Sequence, residues 1–138
     1  MSEEKLKNES DRWFKQAEAD QRAARDSLAS AHFEWACFQA QQCGEKSLKA
    51  LWYYCSQEPW GHSLVKLIKD FPVASIHKKL APLLPAAQTL DKVYIPSRYP
   101  NGLPDSFPSE IYTKSEAQVS IKLAASILSR VRELQQKK

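Results

Sequence analysis

Glycine is scarce in this sequence: Gly44, Gly61 and Gly102 are the only three in 138 residues. Three scattered glycines cannot build the Gly-rich loop that wraps phosphates at the start of a helix. Cysteine is equally sparse. Cys37, Cys43 and Cys55 form no CxxC pair and no Cys/His cluster, so neither a metal site nor a redox pair is encoded. All three fall on or beside one predicted helix, whose rigidity keeps them too far apart to bridge. They read as small buried thiols in a reducing compartment. No apolar run approaches the roughly 18 residues of a membrane span. The first residues, Met-Ser-Glu-Glu-Lys, do not resemble a signal peptide. Ser, His and Asp occur in no order that suggests a nucleophilic triad, and neither alternating apolar runs nor internal repeats are visible. The expectation is a soluble cytoplasmic protein, free of membrane, metal and cofactor.

Charge is present but unevenly spread. The net charge is +4, yet residues 1–45 hold six basic and nine acidic side chains. Residues 46–98 hold eight basic and three acidic ones, so the middle of the chain is where an anionic partner is expected. The competing expectation for Lys66, Lys69, Lys78 and Lys79 is a solvated surface.

Helical periodicity dominates. Residues 1–9 read as a flexible N-terminal segment and 10–138 as a single domain. Ser10 or Asp11 is the candidate cap of a first helix to about Leu28, with Trp13, Ala17, Ala24 and Leu28 inward. A second helix spans about Phe33 to Cys55. A third runs from about His62 to Asp70, a short piece covers Ile76 to Leu84, and Pro85 can open another. Tyr94 to Pro108 holds four prolines and a glycine in fifteen residues and reads as a long functional or pinned loop. Thr113 with Glu116 forms a capping box for a last helix to about Gln136. The fold class is all-α, an up-and-down bundle of about five helices.

The second helix is the most informative element. At about 100° per residue, Gln39, Gln42, Lys46 and Lys49 share one narrow face. Ala36, Ala40, Cys43, Gly44, Ser47, Ala50 and Leu51 share the opposite one, where small side chains admit close backbone approach. Lys46 and Lys49 can meet an anion; equally, they can pair with Glu45 or another carboxylate.

Four stretches, in this order, carry a resemblance. They are Trp13-Phe-Lys-Gln-Ala-Glu-Ala-Asp20, Trp35-Ala-Cys-Phe-Gln-Ala-Gln-Gln-Cys-Gly-Glu-Lys-Ser-Leu-Lys-Ala50, Gly61-His-Ser-Leu64 and Leu90-Asp-Lys-Val-Tyr-Ile-Pro-Ser-Arg-Tyr-Pro100. Together they resemble the HEPN domain, named for higher eukaryotes and prokaryotes nucleotide-binding, over about residues 10–136. The chain is similar to small prokaryotic HEPN proteins and resembles the C-terminal HEPN domain of sacsin, a large chaperone-related protein. The resemblance implies a helical bundle, frequent homodimers and, in some members, nucleotide or RNA binding.

Many HEPN proteins are ribonucleases with an arginine followed, after four to six residues, by a histidine. After Arg98 the corresponding positions are Leu103, Pro104 and Asp105. Arg25 and His32 have the spacing but span the first helix connection, away from the family's catalytic pair. The expectation is therefore a non-catalytic, homodimeric module binding a nucleotide or similar phosphate ligand in a basic cleft. Its candidate residues are Lys46 and Lys49 for phosphate, Arg98 for phosphate or base, and His62 and Tyr99 in support. Arg98 can instead pin its own loop, Tyr99 can plug the core, and His62 can cap the third helix. The alternatives are a protein-interaction domain of a chaperone-like protein, or a ribonuclease with a non-standard site or a nucleotidyltransferase partner.

Overall fold

The computed structural model describes residues 2–136. Three long helices dominate: α1 (Glu3–Ala29), α2 (Phe33–Tyr54) and α7 (Lys114–Gln136). Between α2 and α7 lie the shorter α3 (Leu64–Lys69), α4 (Ala74–Leu80), α5 (Leu84–Asp91) and α6 (Pro108–Ile111). There is no strand among the described residues, as the all-α expectation requires. Six of the seven helices match predicted stretches. The seventh, α6, is a single turn opened by Pro108, the last proline of the long loop.

α1 begins earlier than its sequence suggests. It starts at Glu3, where Ser2 caps it by accepting from the Lys5 N–H at 3.2 Å. Leu6 is buried, so the segment read as flexible adds an apolar turn to the bundle. Ser10 is no cap. It lies inside the helix, and its hydroxyl donates to the Ala50 carbonyl at 2.7 Å. It also accepts from Gln135 Nε2 at 3.2 Å, so one small polar residue ties α1 to both α2 and α7.

α2 is the central helix. All seven small or apolar residues predicted on its inner face are buried. Gly44 shows why small size matters there. A Cβ at this position would stand 2.6 Å from Leu64 Cδ2 and 3.3 Å from Leu90 Cδ1. Both leucines are fully buried, so neither can swing away. α1 returns into α2 through a short turn in which Ala31 adopts φ 63°. Links from Ser10 to Gln135 and from Gln21 Nε2 to the Ile121 carbonyl set α7 antiparallel to α1. The capping box forms as read: the Thr113 N–H donates to Glu116 Oε1 at 3.0 Å and the Glu116 N–H to Thr113 Oγ1 at 3.2 Å.

The aromatic residues near the end of α2 are absorbed by the fold. Trp52 Nε1 donates to the Leu67 carbonyl at 3.0 Å, and its ring meets Phe71 edge-on. Tyr53 packs near Trp13, and Lys7 lies over the Tyr54 ring. At the other end of the helix, Trp35 is exposed, at 46%.

Cys37 and Cys43 are buried, and Cys55 is half-buried; all three are free thiols. Burial pushes the Cys37 thiol up to about 11 and the Cys43 thiol up to about 12, from an ordinary 9.0. Burial likewise pushes Tyr112 up to about 12 from 10.0. The folded protein keeps these protons where the unfolded chain has released them. Their contribution to stability is therefore complete below pH 9.0 and falls as pH rises through about 12. Thermal melts from pH 8 to 11 are expected to show a falling Tm above about pH 9, less steeply in Cys43→Ala.

Candidate functional site

The lysine stripe of α2 is matched by carboxylates. Lys46 Nζ lies 2.7 Å from Asp20 Oδ2, a pair that crosses from α2 to α1 and is mostly shielded from solvent. Lys49 Nζ lies 3.0 Å from Glu45 Oε2 one turn earlier, and 5.3 Å from the Trp13 ring centroid. The two lysines thus belong to different surroundings. Lys46 lines a cleft with Glu9, Arg12 and Trp13, whereas Lys49 lines another with Trp13, Tyr53, Trp60 and His62.

Glu45 is the residue that organises this region. It is 3% exposed, yet four donors surround its carboxylate. Oε2 takes Lys49 and, at 3.2 Å, His62 Nδ1. Oε1 faces the amide nitrogens of Gln41 at 3.2 Å and Gln42 at 3.4 Å. Gln41 Nε2 also reaches the His62 carbonyl at 3.3 Å, so α2 grips His62 by both side chain and backbone. Charged groups survive burial only when their lone pairs are satisfied in this way.

His62 does not cap α3. Ser63 does, accepting from the Lys66 N–H at 3.1 Å. Asp91, at the end of α5, accepts from the Leu64 and Val65 N–H groups at 2.7 and 3.1 Å and from the Ser63 hydroxyl at 2.8 Å. The chain's own carboxylate therefore occupies the α3 N-terminus, where an outside anion would otherwise gain. Gly61 makes the approach to His62 possible, since its φ of 87° is one that side chains resist.

The His62 ring stacks on Tyr94, with centroids 5.1 Å apart and planes 19° apart. Arg98 lies one turn beyond Tyr94 and donates from Nε to the Tyr94 carbonyl at 3.0 Å. Its guanidinium carbon stands 4.2 Å from the Phe38 ring centroid, 4.7 Å from Tyr94 and 5.2 Å from Tyr99. Among the described residues it pairs with no carboxylate. Tyr99 does not plug the core; it is 49% exposed.

One strip therefore joins Trp13, Lys49, Glu45, His62, Tyr94, Arg98 and Tyr99. Four of the five candidate residues lie on it, and Lys46 stands apart beside Asp20. Beside the strip open a cleft of about 500 Å³ bordered by Trp13, Lys49, Tyr53, Trp60 and His62, and a smaller one of about 290 Å³ between His62, Asp91 and Tyr94. Sequence reasoning missed Asp91 and Phe38, and Trp60 at the edge of the larger cleft is 84% exposed. Among the described residues no group of three or more His, Cys, Asp or Glu could hold a metal, and no helix is long and apolar enough to cross a membrane. Removing the Glu45 carboxylate strands Lys49 and frees His62. Glu45→Ala is expected to lower unfolding free energy by about 3 kcal/mol, measured by urea titration.

The geometry has relatives. TT1696 of Thermus thermophilus superposes with a TM-score of 0.84 at 39% identity, over 91% of this chain and 98% of that one. ST0689, an archaeal HEPN homologue, gives 0.76 at 37% identity, over 92% and 98%. The HEPN domain protein tm0613 of Thermotoga maritima gives 0.73 at 25% identity, over 92% and 99%. Among curated proteins none matches. The HEPN domain model matches residues 10–134, and the chain belongs to the HEPN domain family.

Proposed function

We propose that the chain is a non-catalytic HEPN module that dimerises and holds a nucleotide, or a ligand of similar phosphate and ring chemistry, beside His62 and Arg98. One observation carries this reading. Arg98 is a half-buried guanidinium, fixed by three rings and a backbone carbonyl but matched by no carboxylate among the described residues. Such a cation is positioned for a phosphate before any ligand arrives. His62 shares the Tyr94 ring with it. Trp60, exposed at the edge of the larger cleft, offers a ring face to a base. Lys49 walls that cleft, and its charge, like that of Lys46, is already balanced. The cleft volume of about 500 Å³ falls within the ~300–1,000 Å³ usual for small-molecule sites. Calorimetric titration with AMP and ATP tests the reading. Arg98→Ala is expected to weaken binding by roughly tenfold or more, with little change in Tm. A lower Tm with affinity intact would assign Arg98 to loop structure alone, and RNA cleavage lost in Arg98→Ala would favour the ribonuclease.

A second observation supports dimerisation, and with it the interaction-domain alternative. Trp35, Ile95, Tyr99, Phe107, Ile111 and Val119 are each 44–49% exposed, and they gather at the end of the bundle where α2 and α7 begin. Apolar groups in such a cluster mark contact surfaces. A second copy is the expected occupant; a chaperone-like chain or a nucleotidyltransferase would meet the same chemistry. Sedimentation at micromolar concentration is expected to give a dimer for the wild type and a monomer for Trp35→Glu/Phe107→Glu. A monomeric wild type would remove the dimer from the proposal.

A further inference from the structure

The groove between α1 and α7 shares no lining residue with the clefts beside His62. Its α1 wall carries Arg22 and Arg25, three residues apart and so on one helix face. Both are exposed, and neither has an ion-pair or hydrogen-bond partner among the described residues. Its α7 wall carries Arg132, which is held in place. Arg132 Nη2 lies 3.0 Å from Glu18 Oε2, and the guanidinium lies 5.5 Å from the Phe14 ring centroid. Three guanidiniums thus face one carboxylate across a space of about 390 Å³. The residue between them is unusual. Gln21 is 2% exposed and donates to the Ile121 carbonyl, but its own Oε1 has no hydrogen-bond partner. A buried acceptor left in this state is destabilising until a donor reaches it.

The groove therefore offers excess positive charge next to an acceptor that lacks a donor. Inorganic phosphate answers only the first need. A phosphate monoester with a neighbouring hydroxyl answers both. We propose that this groove binds the phosphate of a phosphorylated sugar between Arg22, Arg25 and Arg132, with a sugar hydroxyl donating to the Gln21 side chain. The phosphorylated sugar can be a free metabolite or the 5′-phosphorylated end of an oligoribonucleotide. The site is independent of Arg98.

The test titrates ribose 5-phosphate, 2-deoxyribose 5-phosphate and a short 5′-phosphorylated oligoribonucleotide against the full chain by calorimetry. The variants are Arg22→Gln/Arg25→Gln and, as a charge control away from the groove, Lys69→Gln, with Tm as the folding control. Binding of ribose 5-phosphate is expected to fall roughly tenfold or more in the double variant and to be unchanged in Lys69→Gln. The deoxy sugar is expected to bind several-fold more weakly, because it lacks one donor. Binding of the oligoribonucleotide alone, lost in the double variant, would support the site and identify its source as a polymer end. Absence of binding by all three probes would overturn the proposal. So would full affinity in the folded double variant, or equal loss in Lys69→Gln.

Discussion

The buried carboxylate of Glu45 fastens the turn that carries His62 to the central helix α2. Moving an ionised carboxylate out of water costs several kcal/mol, and here four donors from Lys49, His62, Gln41 and Gln42 offset that cost. Three of those donors come from α2 itself, so the helix presents a prepared socket. The fourth, His62, comes from the turn after α2 and locks that turn against the helix. A second carboxylate completes the clamp from the other side. Asp91 binds the Ser63 hydroxyl and two backbone N–H groups of α3, which fixes the same turn to α5. Three residues later Tyr94 returns to cover the His62 ring. The turn at residues 61–65 and the loop that begins at Tyr94 are therefore positioned by one shared set of polar contacts.

That arrangement changes where free positive charge lies. Lys46 and Lys49 form a conspicuous stripe, but each faces a carboxylate within 3.0 Å. A lysine half shielded between helices needs such a partner because its compact ammonium is strongly hydrated. Arginine tolerates the same shielding differently. Its planar, weakly hydrated fork can rest on ring faces, as Arg98 does over Phe38, Tyr94 and Tyr99, and still keep its charge unmatched. Within this strip, among the described residues, the cation without a carboxylate is thus the arginine, Arg98.

Sequence periodicity made the helices legible, because each long helix buries one face and the spacing of small and apolar residues records it. The inner face of α2 and the Thr113–Glu116 box were readable for this reason. Ser10 was not, since a serine near a helix start carries the same local signal whether it caps or, as here, sits on the core face. The pairing of Lys49 with Glu45 was open to sequence reasoning because both lie on one helix, four residues apart. Asp20 as the partner of Lys46 was not, because only the packing of α1 on α2 brings them together. The rings around Arg98 divide in the same way. Tyr94 and Tyr99 are its neighbours in sequence, while Phe38 comes from α2. Arg22, Arg25 and Arg132 gave no local signal, because their groove exists only once α7 packs on α1.

The family resemblance and the site rest on different physics. At 25% identity the Thermotoga maritima structure still superposes over 92% of this chain. Helix packing tolerates substitution when volume and periodicity are kept. Small residues such as Gly44, where side chains from α3, α5 and α7 close on α2, set that packing. Trp60 and His62 at the cleft, and Arg98 and Tyr99 farther along the strip, instead stand on connections between helices. Glu45 and Asp91, two carboxylates on α2 and α5, hold His62 and the turn that follows it. A change in either carboxylate moves the site without changing the topology, whereas a change in the connections alters the chemistry on an unchanged frame. Shared helix packing therefore sets the frame, and the residues gripped by Glu45 and Asp91 set the chemistry of the surface built on it.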